Sequence, residues 1–508
     1  AGLLKHASNV PGCGRAIEQI FRDAGFPEHL FRTLFIGNEA VAAVIELSLV
    51  RAVTLTGSTR AGRAVGSKAG EEIKKTVLEA AERSFRDWRD VPVAERVAPL
   101  RAAARILRER AGEWGALMAA EMGKPVKDGR AEAEKCAWVC EYYAEHAADF
   151  LADEPADTDA AESFVAFRPL GVVYAIMPWN FPFWQVFRFA APALAAGNGA
   201  ILKHSSNVPG CALAIERIWS EAGLPEGLFR SILVSSDRTD DVSRTIIEDD
   251  RIRAVTLTGS TRAGAATAEK AGRRIKKTVL ELGGSDPYVI LEDADLDAAA
   301  AACAKSRLLN GGQSCIAAKR FVVVESVRSG FEARLVERMR AAKMGDPAEA
   351  DTDLGPQARE DLRDALHHQV ERSVALGAEA ALGGEIPDRP GWWYPPTVLT
   401  GVTAGMPAYD EETFGPVAAV ISVPDEEAAI RVANDSRYGL GAAVFTRDVE
   451  RGRRIAAERL DAGNCFVNDL VRSDPRLPFG GVKESGYGRE LSRYGIREFV
   501  NVKTVWVG

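Results

Sequence analysis

Two residues of the sequence, Cys315 and Glu281, have side chains that together could carry out an oxidation. Cys315 ends the run Asn-Gly-Gly-Gln-Ser-Cys at residues 310–315, and Glu281 stands 34 residues earlier, followed by Leu-Gly-Gly. A thiolate can add to a carbonyl carbon and later leave, which divides one difficult step into two easier ones. A carboxylate can take a proton from the water that ends such a cycle. Because the neighbouring glycines let backbone amides approach reacting oxygens, the pattern indicates oxidation of an aldehyde through a thioester.

Each of these residues also has a plainer interpretation. A lone cysteine is more often a buried core residue, and a glutamate can simply end a strand. The rest of the chain has to decide between the two interpretations.

A third candidate is Asn180, in the loop Met-Pro-Trp-Asn-Phe-Pro-Phe-Trp at residues 177–184. Two prolines stiffen this loop, and an amide N–H aimed at a developing oxyanion can lower a barrier by about 3 kcal/mol. The alternative is an asparagine that braces its own turn. Arg188 follows on an apolar helix, where it needs an acidic side chain or a substrate carboxylate as a partner.

Three further segments could hold a dinucleotide. Residues 258–261, Thr-Gly-Ser-Thr, follow a strand and open a helix whose free amides suit a pyrophosphate. Lys203 ends a strand and could reach ribose hydroxyls, and residues 411–416, Glu-Glu-Thr-Phe-Gly-Pro, offer a carboxylate and a ring for a flat cofactor. No GxGxxG motif is present, so a helix cap, a solvated lysine and a surface turn are the respective alternatives.

The scaffold that must position these side chains alternates strands with helices. Residues 81–150 have apolar side chains at helical spacing, as in Val97, Leu100, Ala104 and Leu107. Strands with helices between them are predicted at residues 171–177, 200–203, 231–234 and 254–257. This order predicts a parallel sheet with right-handed crossovers, and hence a nucleotide-binding domain.

A second alternating stretch begins near residue 286 and passes residue 445, with predicted strands at residues 321–324 and 417–421. The tail at residues 498–506 alternates like an edge strand. Because an unpaired edge invites aggregation, we expect another subunit to cover it.

The amino-terminal segment repeats a later one. Residues 4–13 match residues 202–211, and residues 51–79 match residues 253–281 at 23 of 29 positions. The first copy lacks a counterpart of Trp179 and Asn180 before it and of Cys315 after it. We therefore expect it to be catalytically silent; a second, regulatory nucleotide site is the alternative.

Composition excludes several classes of protein. The 508 residues are 46% hydrophobic and 27% charged, with a net charge of −8, so no nucleic-acid partner is expected. There is no apolar run long enough to span a membrane. The seven scattered cysteines favour a reduced cytoplasm, and they show no metal-binding spacing.

Six motifs in the same order resemble the aldehyde dehydrogenase superfamily, over residues 79–508. They lie at residues 178–182, 258–261, 280–284, 312–315, 412–416 and 478–483. Residues 203–208 and 366–371 are similar to the bacterial NAD(P)-dependent succinate-semialdehyde dehydrogenases. The resemblance implies an α/β fold with a Rossmann-type cofactor domain, an α/β catalytic domain and a small β oligomerisation element. The expected boundaries are 1–79 for the repeat of 199–281, 80–150 and 168–281 for the NAD(P)-binding domain, 151–167 and 486–508 for the oligomerisation element, and 282–485 for the catalytic domain.

The resemblance also implies roles for individual residues. Cys315 attacks the aldehyde, Asn180 and the Cys315 backbone N–H hold the oxyanion, hydride passes to NAD or NADP, and Glu281 activates the hydrolytic water. No metal is expected. The residues implied to line the dinucleotide site are Trp179, Lys203, Ser206, Gly259, Ser260, Leu282, Glu412 and Phe414. Ser206 stands where NAD-restricted relatives have a glutamate, so NADP should be tolerated.

For the substrate, Arg188 and Ser473 match residues that bind the distal carboxylate in semialdehyde enzymes. Another member of the class has a second arginine where this chain has Leu309, and Arg472 or Arg476 could replace it. A semialdehyde is therefore expected, with succinate semialdehyde as the best single choice. Another aldehyde, an acylating enzyme that uses coenzyme A, and a non-catalytic homologue are the alternatives. The resemblance also implies a homodimer or homotetramer.

Overall fold

The computed structural model describes residues 1–7, 9–47, 50 and 76–508. The chain forms two compact units, Ala1–Glu79 and Ala80–Gly508. The second block of the internal repeat, residues 51–79, lies outside the described residues except for its last four. Among the described helices, none is long and apolar enough to cross a membrane.

The first unit contains a parallel strand–helix–strand arrangement. Strand β1 (Gly2–Leu4) pairs with β2 (Phe31–Thr33), and helix α1 (Pro11–Asp23) connects them. Pro11 begins α1, where its missing N–H removes no helical hydrogen bond. A short helix, α2 (Val41–Ile45), follows, and residues 76–79 are also helical.

The second unit holds the remaining elements. Its helices are α3 (residues 80–88), α4 (Val93–Arg96), α5 (Ala98–Glu109), α6 (Ala111–Met122), α7 (Val126–Phe150), α8 (Trp184–Ala195), α9 (Pro209–Glu221), α10 (Thr239–Glu248), α11 (Thr261–Arg273), α12 (Leu296–Leu308), α13 (Arg328–Arg340), α14 (Glu360–Ala375), α15 (Pro407–Asp410), α16 (Glu426–Asn434), α17 (Val449–Glu458) and α18 (Ser492–Arg497). Its strands are β3 (Glu154–Pro155), β4 (Glu162–Pro169), β5 (Val172–Met177), β6 (Gly199–His204), β7 (Phe229–Ile232), β8 (Ile252–Thr258), β9 (Lys277–Glu281), β10 (Asp286–Ile290), β11 (Ala318–Val324), β12 (Glu379–Leu382), β13 (Thr397–Thr400), β14 (Val417–Val423), β15 (Tyr438–Gly439), β16 (Gly441–Phe445), β17 (Asn464–Val467), β18 (Val482–Lys483), β19 (Gly486–Tyr487) and β20 (Val500–Val507).

The first predicted parallel sheet is present. It has six strands in the order β19-β9-β8-β5-β6-β7, and every pair except β19–β9 is parallel. The chain enters at β5, moves outward to β6 and β7, and returns to the other side for β8 and β9. The strand order therefore reverses between β5 and β8, and ligands of such sheets bind in the crevice beyond the carboxyl ends at that point. Asn180 follows β5 there, and Ser260 follows β8.

The second predicted alternating region forms a seven-stranded sheet, in the order β12-β13-β14-β11-β10-β16-β17. Its central strands, β10 and β11, are buried along their whole length because helices cover both faces. The segment between β10 and β11 carries Cys315.

The predicted oligomerisation element differs from its expected boundaries. Strands β20, β4 and β3 form a separate antiparallel sheet, in which β20 pairs with β4 along its length. Gly486 and Tyr487, expected in this element, instead pair as β19 with Glu281 and Leu280 of β9. Residues 492–497 form α18 rather than sheet.

The internal repeat is visible in local hydrogen bonding. The Glu18 carboxylate accepts a hydrogen bond from the Thr33 backbone N–H at 2.7 Å, and Glu216 accepts from Ser231 N–H at 2.6 Å. In both copies, a proline-capped helix is thus tied to the strand that follows it. The two copies end differently, because Thr-Val-Leu-Glu is helical at residues 76–79 and forms strand β9 at residues 278–281.

Candidate active site

The loop before Cys315 has a backbone that favours glycine. Asn310, Gly311 and Gly312 have φ angles of 55°, 63° and 75° in succession. A Cβ atom on Gly312 would also collide with the carbonyl of Gly415. This loop is therefore fixed against the Glu-Thr-Phe-Gly-Pro segment, and Cys315 is held at its end, partly buried.

The Cys315 thiol keeps its proton in this environment. Burial raises the pKa of Cys315 to about 12, although the positive charges of Arg188 and Lys319 oppose that rise. The Lys319 ammonium donates hydrogen bonds to the carbonyl oxygens of Ser314, at 3.1 Å, and Cys315, at 2.7 Å. Lys319 therefore braces the backbone of the nucleophile loop, a contact that no local motif predicted.

Asn180 lies against the same loop. Its Nδ2 atom donates a hydrogen bond to the Gln313 carbonyl at 3.1 Å, and Asn310 Nδ2 donates to the Asn180 carbonyl at 2.7 Å. Asn180 is buried. Since its amide carries two hydrogens, one is left to point at an oxygen bound near Cys315.

Glu281 ends β9, and its side chain is buried. Among the described residues, neither of its carboxylate oxygens accepts a hydrogen bond. Burial raises its pKa well above the usual value, and the nearby Glu490 carboxylate adds to the rise. A carboxyl group in this state has the proton affinity that a general base needs near neutral pH.

Glycines bring the Glu281 segment and the Cys315 segment together. A Cβ on Gly284 would lie 2.7 Å from the Cys315 carbonyl oxygen, and a Cβ on Gly480 would lie 2.7 Å from Glu281 Oε1. Both positions thus have room only for a hydrogen atom. The two residues singled out by their chemistry therefore belong to one packed site.

Part of the predicted dinucleotide site surrounds the same glycine turn. The Glu412 carboxylate accepts a hydrogen bond from Gly284 N–H at 3.0 Å. The rings of Trp179 and Phe414 meet edge to face, with centroids 5.9 Å apart. Leu282 packs against α11, because a Cβ on Gly264 would lie 2.5 Å from its Cδ2 atom.

The rest of the predicted dinucleotide site lies beyond the ends of β6 and β8. Ser260 caps α11 by accepting a hydrogen bond from Ala263 N–H at 3.3 Å, and the Gly259 N–H donates to the Glu281 carbonyl at 2.9 Å. Lys203 is in β6, where burial lowers its pKa, and Ser206 is exposed just after that strand. The glycine turn follows β9 and α11 follows β8, so both lie beyond the carboxyl ends of strands next to the topological switch point, where sheets of this kind bind dinucleotides. The cofactor-binding roles that the family resemblance implies for eight residues stay predictions.

Arg188 has an acidic side chain as its partner, one of the two kinds of partner expected for it. It forms an ion pair with Glu490, and both side chains are buried. The guanidinium also lies over the Phe479 ring, 4.7 Å from its centroid, and donates to Thr258 Oγ1 at 3.4 Å. Sequence reasoning missed Glu490, although its position directly after Gly-Tyr-Gly-Arg in a glycine-rich tail was a possible signal.

Ser473 is buried and bound to a residue that sequence reasoning also missed. The Lys135 ammonium, from α7, donates a hydrogen bond to Ser473 Oγ at 2.8 Å. The two arginines considered as replacements at Leu309 form ion pairs of their own. Arg472 pairs with Asp469 at 2.8 Å and Arg476 with Asp474 at 2.6 Å, and both arginines are exposed.

A family model and two curated relatives match most of this chain, and all three point to the same family. The family model described as "Aldehyde dehydrogenase family" matches residues 1–80 and 76–505. A probable NADP(+) succinate-semialdehyde dehydrogenase of Synechocystis is 52% identical over 430 residues, which cover 85% of this chain and 94% of that protein. The NAD(P)+ succinate semialdehyde dehydrogenase Sad of Escherichia coli is 47% identical over 455 residues, covering 90% of this chain and 97% of its own.

Two solved structures also match most of this chain. Succinic semialdehyde dehydrogenase from Streptococcus pyogenes, solved in complex with NADP+, matches with a TM-score of 0.82 and 38% identity, covering 90% of this chain and 97% of its own. Gox0499, solved in a study of cofactor and substrate selection, matches with a TM-score of 0.83 and 42% identity, covering 86% of this chain and 94% of its own.

Proposed function

The chain belongs to the aldehyde dehydrogenase family, and we propose that it oxidises succinate semialdehyde to succinate with NAD(P)+ as the hydride acceptor. The observation that carries this proposal is the contact between the Cys315 loop and the glycine turn after Glu281. It joins a sulfur nucleophile and a buried carboxylate at the switch point of a nucleotide-binding sheet.

Cys315 is the nucleophile in this proposal. Its sulfur forms a bond to the aldehyde carbon, and the carbonyl oxygen takes up the electron pair of the broken π bond. The free hydrogen of the Asn180 amide and the Cys315 backbone N–H then stabilise that oxygen, a contribution of about 3 kcal/mol for one donor. Because the resting thiol is protonated, its proton passes to solvent water before or during the attack.

The dinucleotide would be held by Trp179, Leu282, Glu412 and Phe414. When bound there, NAD(P)+ supplies the hydride acceptor that raises the Cys315 adduct to the oxidation level of a thioester. The protein's own contribution would be to bind and orient the cofactor through these four residues. Gly283 leaves space beside Glu412, since a Cβ there would lie 2.5 Å from Glu412 Oε2.

Glu281 completes the cycle by hydrolysis. Its carboxylate accepts a proton from water, the resulting hydroxide attacks the thioester carbon, and the Cys315 sulfur leaves with the electron pair of the carbon–sulfur bond. The absence of hydrogen bonds to either Glu281 oxygen, within the part of the chain that the structure describes, leaves both lone-pair sets free for that water. This base argues against the acylating alternative, since coenzyme A attack requires no activated water.

The distal carboxylate of the substrate is the group that selects it. Arg188 and Ser473 are proposed to bind it, which supports a semialdehyde over a neutral aldehyde. We also propose a homodimer or homotetramer in the cytoplasm. The exposed side chains of β20, such as Val502 and Trp506, support subunit pairing, and seven free cysteines are in keeping with a reducing compartment.

One assay tests the proposed function. Purified protein is given succinate semialdehyde with NAD+ or NADP+, with and without coenzyme A, and the absorbance of the reduced cofactor is followed. We expect turnover that does not need coenzyme A, succinate as the product, and no turnover in Cys315→Ala. No turnover in the wild type, or full turnover in Cys315→Ala, would refute the proposal, and a requirement for coenzyme A would favour the acylating alternative.

A further inference from the structure

Lys135 stands at the place where the predicted substrate-carboxylate residues converge. Its ammonium donates to Ser473 Oγ at 2.8 Å and lies over the Trp184 ring, 4.3 Å from the centroid. Trp184 begins α8, one turn before Arg188. Arg188 is also close enough for its positive charge to lower the pKa of Lys135.

Burial lowers the pKa of Lys135, and the charges of the Glu132 and Asp474 carboxylates oppose that shift without a direct contact. Within the described ranges, no carboxylate forms an ion pair with it, and the neighbouring acids are engaged elsewhere. Glu132 pairs with the buried Lys124, and Asp474 pairs with Arg476 at 2.6 Å.

Arg188 differs from Lys135 in this respect. Its guanidinium is already neutralised by the buried Glu490 carboxylate. Among the described residues, Lys135 is therefore the one of these two cations that has no ion-paired carboxylate. An unpaired ammonium in a partly buried position is costly unless an anion joins it.

We propose that Lys135 binds the distal carboxylate of the substrate together with Ser473, and is the residue that sets the preference for an anionic aldehyde. This inference rests on the proposed function. The ammonium has three hydrogens, and its bond to Ser473 leaves two for carboxylate oxygens. Burial lowers the pKa of Lys135 to about 8, and a bound carboxylate would raise it again and keep the group charged.

Lys135 also accounts for the absence of a second arginine at Leu309, where another member of the class has one. That position is apolar, and Arg472 and Arg476 are exposed and paired with aspartates. A cation supplied from α7 thus takes the place of the second arginine.

The test compares a charged aldehyde with a neutral one of the same length. Initial rates are measured for succinate semialdehyde and butanal with the full-length enzyme, its Lys135→Met and Lys135→Gln variants, and the control Lys127→Met. Lys127 is on the same helix, but it is exposed and pairs with Asp353 at 2.6 Å. Inhibition of butanal oxidation by succinate gives a second measure of carboxylate binding.

We expect both Lys135 variants to raise the KM for succinate semialdehyde and the inhibition constant of succinate by about 10- to 100-fold, the range for one charge-assisted hydrogen bond. The kcat for either aldehyde and the KM for butanal should change little, and Lys127→Met should behave as the wild type. Equal losses for both aldehydes, or a wild-type KM for succinate semialdehyde in the variants, would overturn the role assigned to Lys135 and leave the proposed function intact. A wild-type enzyme without any preference for succinate semialdehyde over butanal would overturn the proposed function, and this inference with it.

Discussion

Arg188 and Glu490 form an ion pair whose side chains are only 2% and 3% exposed. Moving two charges out of water costs several kcal/mol per ion, so the pair holds only while both members are present. In the proposed enzyme Arg188 therefore has two tasks. It neutralises a buried carboxylate beside Glu281, and it helps to bind the substrate's carboxylate.

The first prediction separates these two tasks. Arg188→Met leaves Glu490 buried without its partner, and we expect the free energy of unfolding to fall by about 3–5 kcal/mol. The double variant Arg188→Met/Glu490→Gln should recover most of that stability in urea unfolding. It should still show a raised KM for succinate semialdehyde. If the double variant is no more stable than Arg188→Met, the ion pair is not what stabilises this region.

The pH dependence of that loss follows from Glu490. Burial raises its pKa above the usual value, and Arg188 opposes the rise. An acid whose pKa is higher in the folded state favours folding at low pH and loses that contribution as the pH rises through the folded pKa. Removing Arg188 strengthens this effect, so Arg188→Met should be more destabilised, relative to the wild type, at pH 8 than at pH 6.

The sequence predicted the residues that local motifs mark. Asn180, Glu281 and Cys315 lie in runs rich in glycine and proline, where turn chemistry restricts the backbone, and the structure brings all three segments together. It also predicted that Arg188 needs a partner, either an acidic side chain or a substrate carboxylate. The identity of that partner, Glu490, could not be predicted, because the pairing joins segments far apart in the chain.

Lys135 shows a second limit of the sequence. It lies in α7, an alanine-rich helix that carries no motif, and helical periodicity does not distinguish a lysine facing a site from one facing solvent. Only its hydrogen bond to Ser473, on a distant loop, identifies Lys135 as a candidate site residue. The boundaries of the β oligomerisation element were likewise wrong at residues 486–487, because their pairing with β9 depends on the tertiary fold.

The second prediction concerns the reactivity of Cys315. Since burial raises its pKa to about 12, only a small fraction is thiolate at neutral pH. In the ligand-free enzyme, the rate of Cys315 alkylation by iodoacetamide should rise about tenfold per pH unit between pH 7 and 9. The alkylation rate is measured by mass spectrometry of the peptide that contains Cys315, with Cys315→Ala as the control. A plateau below pH 9 would contradict a thiol that holds its proton.

The third prediction concerns cofactor choice. Ser206 is exposed just beyond β6, where a neutral side chain would not repel a 2′-phosphate. Ser206→Glu should raise the KM for NADP+ by roughly 10- to 100-fold through like-charge repulsion and leave the KM for NAD+ nearly unchanged. Ser206→Gln, which has the same size without the charge, is the matched control. An equal effect of both variants would assign the change to size rather than charge.

The fourth prediction uses the two copies of one string. Thr-Val-Leu-Glu forms β9 at residues 278–281, where Leu-Gly-Gly follows, but is helical at residues 76–79, where Ala-Ala-Glu-Arg follows. The residues that follow select the structure, because alanine and arginine favour a helix and paired glycines interrupt it. Glu281 is thereby buried at the end of β9, whereas Glu79 is exposed on its helix.

The two glutamates should therefore respond differently to the same change. In rapid-mixing experiments, Glu281→Gln should give a burst of reduced cofactor near one equivalent per active site. Steady turnover should then be slowed by about 10²- to 10⁴-fold, because water is no longer activated to cleave the thioester. Glu79→Gln should keep the wild-type burst and steady rate. A lost burst in Glu281→Gln would place this residue before hydride transfer, and a slowed Glu79→Gln would show that the repeat contributes to catalysis.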